Sequence, residues 1–280
     1  IKVGREAHLM DNGTDDRISN PVIENLTLYR DPLNTSREHF EDGAAVWADA
    51  PSDQLTINNL NASCCYYGLL ITSYLDAFRI RGMHTGRVTH PLFIASREEA
   101  GKFTATWYGT VSDSCFADGD GPVVLQGDTQ PWNFSNVNIV RQGRKQTDFP
   151  PCNIYWAVSQ GRFDAGVIDS PGRTFHLSDG KGRRTPAQID ADGMILKGNK
   201  NTISTLFKDA SGKGKANLHL LPGSNRNIIR SQFAGCKEGA VDLIIEEGCE
   251  ENLVYVSPGM TIVDRGLNTH YIGRELAVFK

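Results

Sequence analysis

Apolar and polar residues alternate along this chain in short runs, and an Asn, Asp or Gly closes most of them. PVIENLTLYRD (21–31), DQLTINNLNAS (53–63), LDAFRIRGMHT (75–85), FSNVNIVRQG (134–143), NKNTISTLFKD (199–209), SNRNIIRSQF (224–233), AVDLIIEEG (240–248), ENLVYVSPG (251–259) and MTIVDRGLNTHYIG (260–273) share this form. Alternation at period two among β-branched and aromatic residues predicts strands, because successive side chains of a strand point to opposite faces. No long stretch carries apolar residues at helical spacing. A short helix is expected only over Ser96–Lys102 (SREEAGK), where Gly101 ends it.

Similar units recur at roughly 20–30 residues, the spacing of solenoid coils. One coil cannot bury its apolar positions alone, but stacked coils align them into a continuous core. Parallel pairing then satisfies the backbone amides from coil to coil. Asn at the turns tolerates left-handed geometry, and stacked Asn amides bond along the axis. The expected fold is therefore all-β: a right-handed parallel β-helix spanning 1–280 as one domain, with Gly/Asp/Pro-rich excursions at 97–133 and 142–190. The rival fold is a β-sandwich or jelly roll. It should show regular hairpins, yet few Asn-Gly or Asp-Gly pairs stand between matching strands. The chain opens at Ile1 in what reads as mid-strand (IKVG), so a longer parent chain is expected.

Composition narrows the function classes. With 39% hydrophobic and 22% charged residues, the chain reads as an ordered globular protein. A net charge of −4 without a basic stripe argues against nucleic acid as a partner. The basic group Lys181, Arg183 and Arg184 reads as a solvated turn. No apolar run reaches the ~20 residues of a membrane-spanning helix. The six cysteines, Cys64, Cys65, Cys115, Cys152, Cys236 and Cys249, follow no zinc spacing and are expected as free, mostly buried thiols.

The units NPVIENLTLYRD, LDAFRIRGMHTGRV, NRNIIRSQF and GAVDLIIEEGCEENLVYV, with the ending IVDRGLNTHYIG, resemble coils of the pectate-lyase-like superfamily, in particular its branch of bacteriophage tailspikes and capsule depolymerases. The likeness covers most of the chain and is one of coil pattern, without a catalytic signature. It implies a homotrimeric part of the phage virion, made in bacterial cytoplasm. It also implies recognition or cleavage of a bacterial surface polysaccharide, either O-antigen or capsule. The superfamily contains hydrolases, lyases, epimerases and non-enzymatic adhesins, and the fold does not choose among them.

Glycoside hydrolysis needs two carboxyl groups about the scissile bond. SDSCFADGDGP offers Asp113, Asp118 and Asp120; on a strand, Asp118 and Asp120 face one side, and close like charges raise one pKa toward that of a general acid. GRFDAGVIDSPGR offers Asp164 and Asp169 as a reserve pair. Asp190 with Asp192 reads as a plain turn, and Glu246 with Glu247 as a solvated face. Lyase chemistry would draw on FRIRGMHTGRVTH, with Arg79, Arg81, His84, Arg87 and His90. Arg79 and Arg81 share the outer face of one strand and suit a sugar carboxylate. Aromatic rings stack on sugars, and Trp107–Tyr108, Trp132–Phe134 and Tyr155–Trp156 all fall in the irregular middle. No cofactor is called for, although the DGDG and DADG turns offer oxygens for Ca²⁺. Hydrolysis ranks ahead of lyase chemistry, and a non-catalytic shaft or adhesin is the alternative from another class.

Overall fold

The computed structural model describes residues 1–3, 18–19, 21–29, 43–49, 52–95, 105–144, 147–178 and 183–280. The helix expected at Ser96–Lys102 lies outside them. Two stacks of strands run the length of the molecule, an 11-stranded sheet and a 15-stranded sheet. The first passes through Tyr67–Ile71, His90–Ile94, Val123–Leu125, Cys152–Trp156, Asp192–Leu196, Ala216–Leu220, Val241–Ile245 and Thr261–Asp264. The second includes Thr56–Ser63, Arg79–Arg81, Ala105–Ala117, Asp128–Val140, Arg162–Asp169 and Thr202–Lys208. Each coil contributes to both stacks and pairs in parallel with the coil after it. The one antiparallel strand pair among the described residues is the hairpin Arg173–Ser178 with Arg183–Gln188. This is a parallel β-helix, and the sandwich alternative is excluded.

The second stack bends at a column of left-handed residues. Asn25, Asn59, Gly82, Asp113, Asn136 and Ala165 all have positive φ and occupy equivalent places in successive coils. Asn and Asp enter this region at little cost because their short side chains bond locally. Asn59 Nδ2 donates to Asn25 Oδ1 at 3.0 Å, and Asn136 Nδ2 to Asp113 Oδ1 at 3.0 Å. A second column, Cys64, Arg87, Asp118, Arg141, Ser170, Asp209 and Gly235, closes the following face. A third, Gln160, Lys200, Arg226, Glu251 and Asn268, turns the C-terminal coils.

Alternate residues of each strand point inward. In Thr202–Lys208 the residues Ile203, Thr205 and Phe207 are buried between half-exposed neighbours. The core stacks aromatic rings along the axis, with Phe78 against Trp132, Trp132 against Phe134, and Phe134 against both Trp156 and Phe163. Gly109 is required beneath this stack, since a Cβ there would lie 2.3 Å from the Trp132 ring. Much of the stretch expected to be irregular is therefore regular: Ala105–Ala117 and Asp128–Val140 are 13-residue strands. Their Gly and Asp serve close approach and corner geometry within the sheet. The hairpin is the excursion seen within 142–190.

A buried amide ladder joins the C-terminal coils. Asn201, Asn227 and Asn252 have no exposed surface. Asn227 Oδ1 accepts the Asn201 amide N–H at 2.9 Å, and Asn252 Oδ1 accepts that of Asn227 at 3.0 Å. Each Nδ2 reaches a turn carbonyl, of Val158, Gly198 and Ser224 in order. Asn227→Ala leaves the Asn201 N–H and the Gly198 carbonyl without these partners. At about 1–3 kcal/mol for each orphaned buried group, the variant should lose several kcal/mol of stability. Urea unfolding followed by circular dichroism would measure this, and an unchanged midpoint would disprove a structural role for the ladder.

Candidate functional site

The five aspartates expected to carry acid–base chemistry are brought to corners and strand ends, and each meets a cation. Asp118 sits in the turn after Ala105–Ala117, where Arg141 of the next coil holds both its oxygens, Nε at 2.7 Å and Nη2 at 3.0 Å. Arg144 Nη2 binds Asp120 at 2.9 Å. Asp113 lies 3.4 Å from Arg81, Asp164 is 2.7 Å from Arg162, and Asp169 is 3.1 Å from Lys208. Asp164 and Asp169 flank the bend at Ala165 and so lie on different faces. Burial tends to raise the Asp118 pKa, but the bonds and charge of Arg141 outweigh it, and the net shift is downward. A general acid needs the opposite shift. Of the carboxylates offered to Ca²⁺, Asp118 and Asp120 face arginines, and Asp192 faces Lys215 and His219. Among the described residues no group of three or more His, Cys, Asp or Glu could hold a metal ion.

The aromatic expectations divide. Trp132, Phe134 and Trp156 are wholly buried and line no groove. Their indole N–H groups are satisfied inside, Trp132 by Thr106 Oγ1 at 3.0 Å and Trp156 by Asn201 Oδ1 at 3.3 Å. They point inward because they alternate with the outward-facing residues of core strands. Tyr155 is half-buried on the outer side of the first stack, against Phe149. Trp107 and Tyr108 remain open to solvent, 43% and 62% exposed. Tyr108 is left-handed, as is Ala77 beneath it, and this corner turns both aromatic residues outward. Tyr74 meets the Trp107 ring edge-on at 5.5 Å.

The basic group is likewise dispersed. Arg79 and Arg81 do share one outer face, as the alternation required. His84 lies past the Gly82 corner on the next face, Arg87 belongs to the second corner column, and His90 is buried. Burial lowers the His90 pKa, and its Nδ1 is 2.8 Å from the Pro122 carbonyl. The face holding Arg79 and Arg81 is polar from coil to coil. Thr110, Asn133, Arg162 and Thr202 follow Arg79 in register, and Ser112, Ser135, Asp164 and Ser204 follow Arg81. The left-handed Ala77–Tyr108 corner bounds this face, with Trp107 on the far side of the corner.

One constellation escaped the sequence reading. Asp192, 1% exposed, lies 3.3 Å from His219 Nδ1, while Glu246 lies 3.1 Å from His219 Nε2. Lys215 caps Asp192 at 3.1 Å and Arg265 caps Glu246 at 2.7 Å. Asp192 and Glu246 looked like turn and surface residues because their partners lie a full coil away, 27 residues in sequence. Both imidazole nitrogens are engaged, so the group clamps three coils and leaves no free nitrogen for proton transfer. Comparison with family models, with curated proteins and with solved structures returned no match.

The clamp makes stability depend on pH. Burial lowers the His219 pKa, but Asp192 and Glu246 outweigh it and the net shift is upward. A raised folded pKa contributes stability that is complete below the unfolded value of about 6.5 and is lost as pH rises through the folded value. Thermal melts should therefore show the wild type losing stability on the alkaline side of about pH 6.5, and His219→Gln should remove that loss. Parallel curves for the two proteins would refute the clamp.

Proposed function

We propose that the chain is a glycan-binding β-solenoid of the bacteriophage tailspike kind: a trimeric, virion-borne part that holds a bacterial surface polysaccharide, O-antigen or capsule. The observation that carries this reading is the solvent-open pair Trp107 and Tyr108 beside a face of Arg, Ser, Thr and Asn. A sugar presents an apolar ring face and a rim of hydroxyls. Exposed aromatics match the first, and short polar side chains in register match the second. The coil resemblance adds the kind of partner. Binding ranks above hydrolysis by the five aspartates because each carboxylate already has a cation.

Cleavage is the second reading, and one observation favours it. Asp76 is the register partner of Trp107, and its carboxylate has no partner among the described residues. Asp53 is the register partner of Asp76 on the adjacent strand.

A panel of purified capsules and O-antigens, with retention measured by biolayer interferometry, tests the first reading. At least one polymer should bind, Trp107→Ala should weaken it roughly tenfold or more, and Asp118→Asn should leave binding unchanged. If no polymer is retained, the reading fails. A reducing-end assay with near-ultraviolet absorbance tests the second. New ends without absorbance mean hydrolysis, and loss of those ends in Asp76→Asn would place the chemistry at this corner. New ends with rising absorbance mean a lyase.

A further inference from the structure

The glycan-binding reading leaves open what kind of sugar the corner takes, and the charges around it decide this. On the outer surface of the solenoid, arginine after arginine faces a carboxylate: Arg81 with Asp113, Arg141 with Asp118, Arg144 with Asp120, Arg162 with Asp164, Arg226 with Glu251 and Arg265 with Glu246. Arg79 is exposed and has no ion-pair or hydrogen-bond partner among the described residues. It stands on the same strand as Arg81, and its register partner is Thr110, two residues beyond Tyr108. The strand that carries this guanidinium thus begins two residues past the Ala77–Tyr108 bend, across that bend from Trp107.

Resting on that reading, we propose that the corner of Trp107, Tyr108 and Arg79 is a subsite for an acidic sugar, one bearing a carboxylate on its ring. The Tyr74 ring meets the Trp107 indole edge-on and narrows its freedom before a ligand arrives. The apolar face of the sugar lies on the aromatic pair. Its carboxylate takes two parallel N–H···O bonds from the planar fork of Arg79. Thr110 Oγ1 already donates toward the Phe78 carbonyl at 3.5 Å, so its free lone pairs accept from a sugar hydroxyl. Asp76, without a side-chain partner among the described residues and opposite Trp107, accepts from hydroxyls on the other side. A neutral sugar would use the rings and the hydroxyl acceptors but leave Arg79 idle.

The test uses the full chain and one polymer in two forms: a uronic-acid-containing capsular polysaccharide, and the same polymer with its carboxyls reduced to alcohols. Titration calorimetry should show the acidic form binding roughly tenfold to a hundredfold more tightly than the reduced form, the range for losing a charge-assisted bond. Arg79→Gln should lose the same factor on the acidic form and nothing on the reduced form, and added salt should weaken only the acidic complex. Arg226→Gln, on the third corner column, should change neither. Equal binding of the two forms, or an unaffected Arg79→Gln, overturns the acidic subsite while leaving glycan binding intact. A chain that retains no polysaccharide at all, acidic or neutral, overturns the glycan-binding reading itself.

Discussion

Register between successive coils governs this molecule. Every coil gives its strand amides and carbonyls to the next coil about 4.8 Å away, so each must return in phase with the one before. The lengths between equivalent positions vary, 23 residues from Asp118 to Arg141 and 25 from Asn227 to Asn252, yet the strands stay aligned. Alignment forces corner residues into columns. What a corner can hold is then decided by its neighbours above and below. Opposite charges meet at two of these places, Asp118 under Arg141 and Arg226 under Glu251, while Lys200 and Arg226 also follow one another in a column. Each such pair is half open to water and worth little alone.

This explains how much of the fold could be read from the sequence. Alternating runs and Asn at turns were enough for a parallel solenoid, and Asn201, Asn227 and Asn252 of the ladder each fall in one of the alternating runs. The left-handed places held by Arg87, Arg141, Lys200, Arg226 and Glu251 were not legible, because nothing in these residue types asks for positive φ. They are carried there by the column. The strands at 105–117 and 128–140 were hidden for a related reason. Gly109 reads as a breaker, but it is the space into which Trp132 fits.

The candidate site was legible in part. Pairing Arg79 with Arg81 on one face needed only strand alternation, and of the aromatic residues singled out only Trp107 and Tyr108 are open to solvent. Counting acidic residues misled, because a carboxylate's partner in a solenoid lies one coil on. Asp118 and Asp120 are neighbours in sequence, but each is neutralised by an arginine 23 or 24 residues away. The clamp at His219 was invisible on the same ground. Sequence proximity measures little in a fold whose contacts repeat at the length of a coil.

The hairpin has a consequence for how such a molecule can change. Cys152 and Asp192 are direct neighbours in the first stack although a whole coil, including Arg173–Ser178 and Arg183–Gln188, lies between them in the chain. The sheet on either side keeps its phase across this detour. Closing a longer loop costs only slowly more with length. The scaffold can therefore exchange the segment at this corner for another of different size and chemistry while its axis, its core and its neighbouring corners remain as they were. Novelty at one coil boundary is uncoupled from the integrity of the rod.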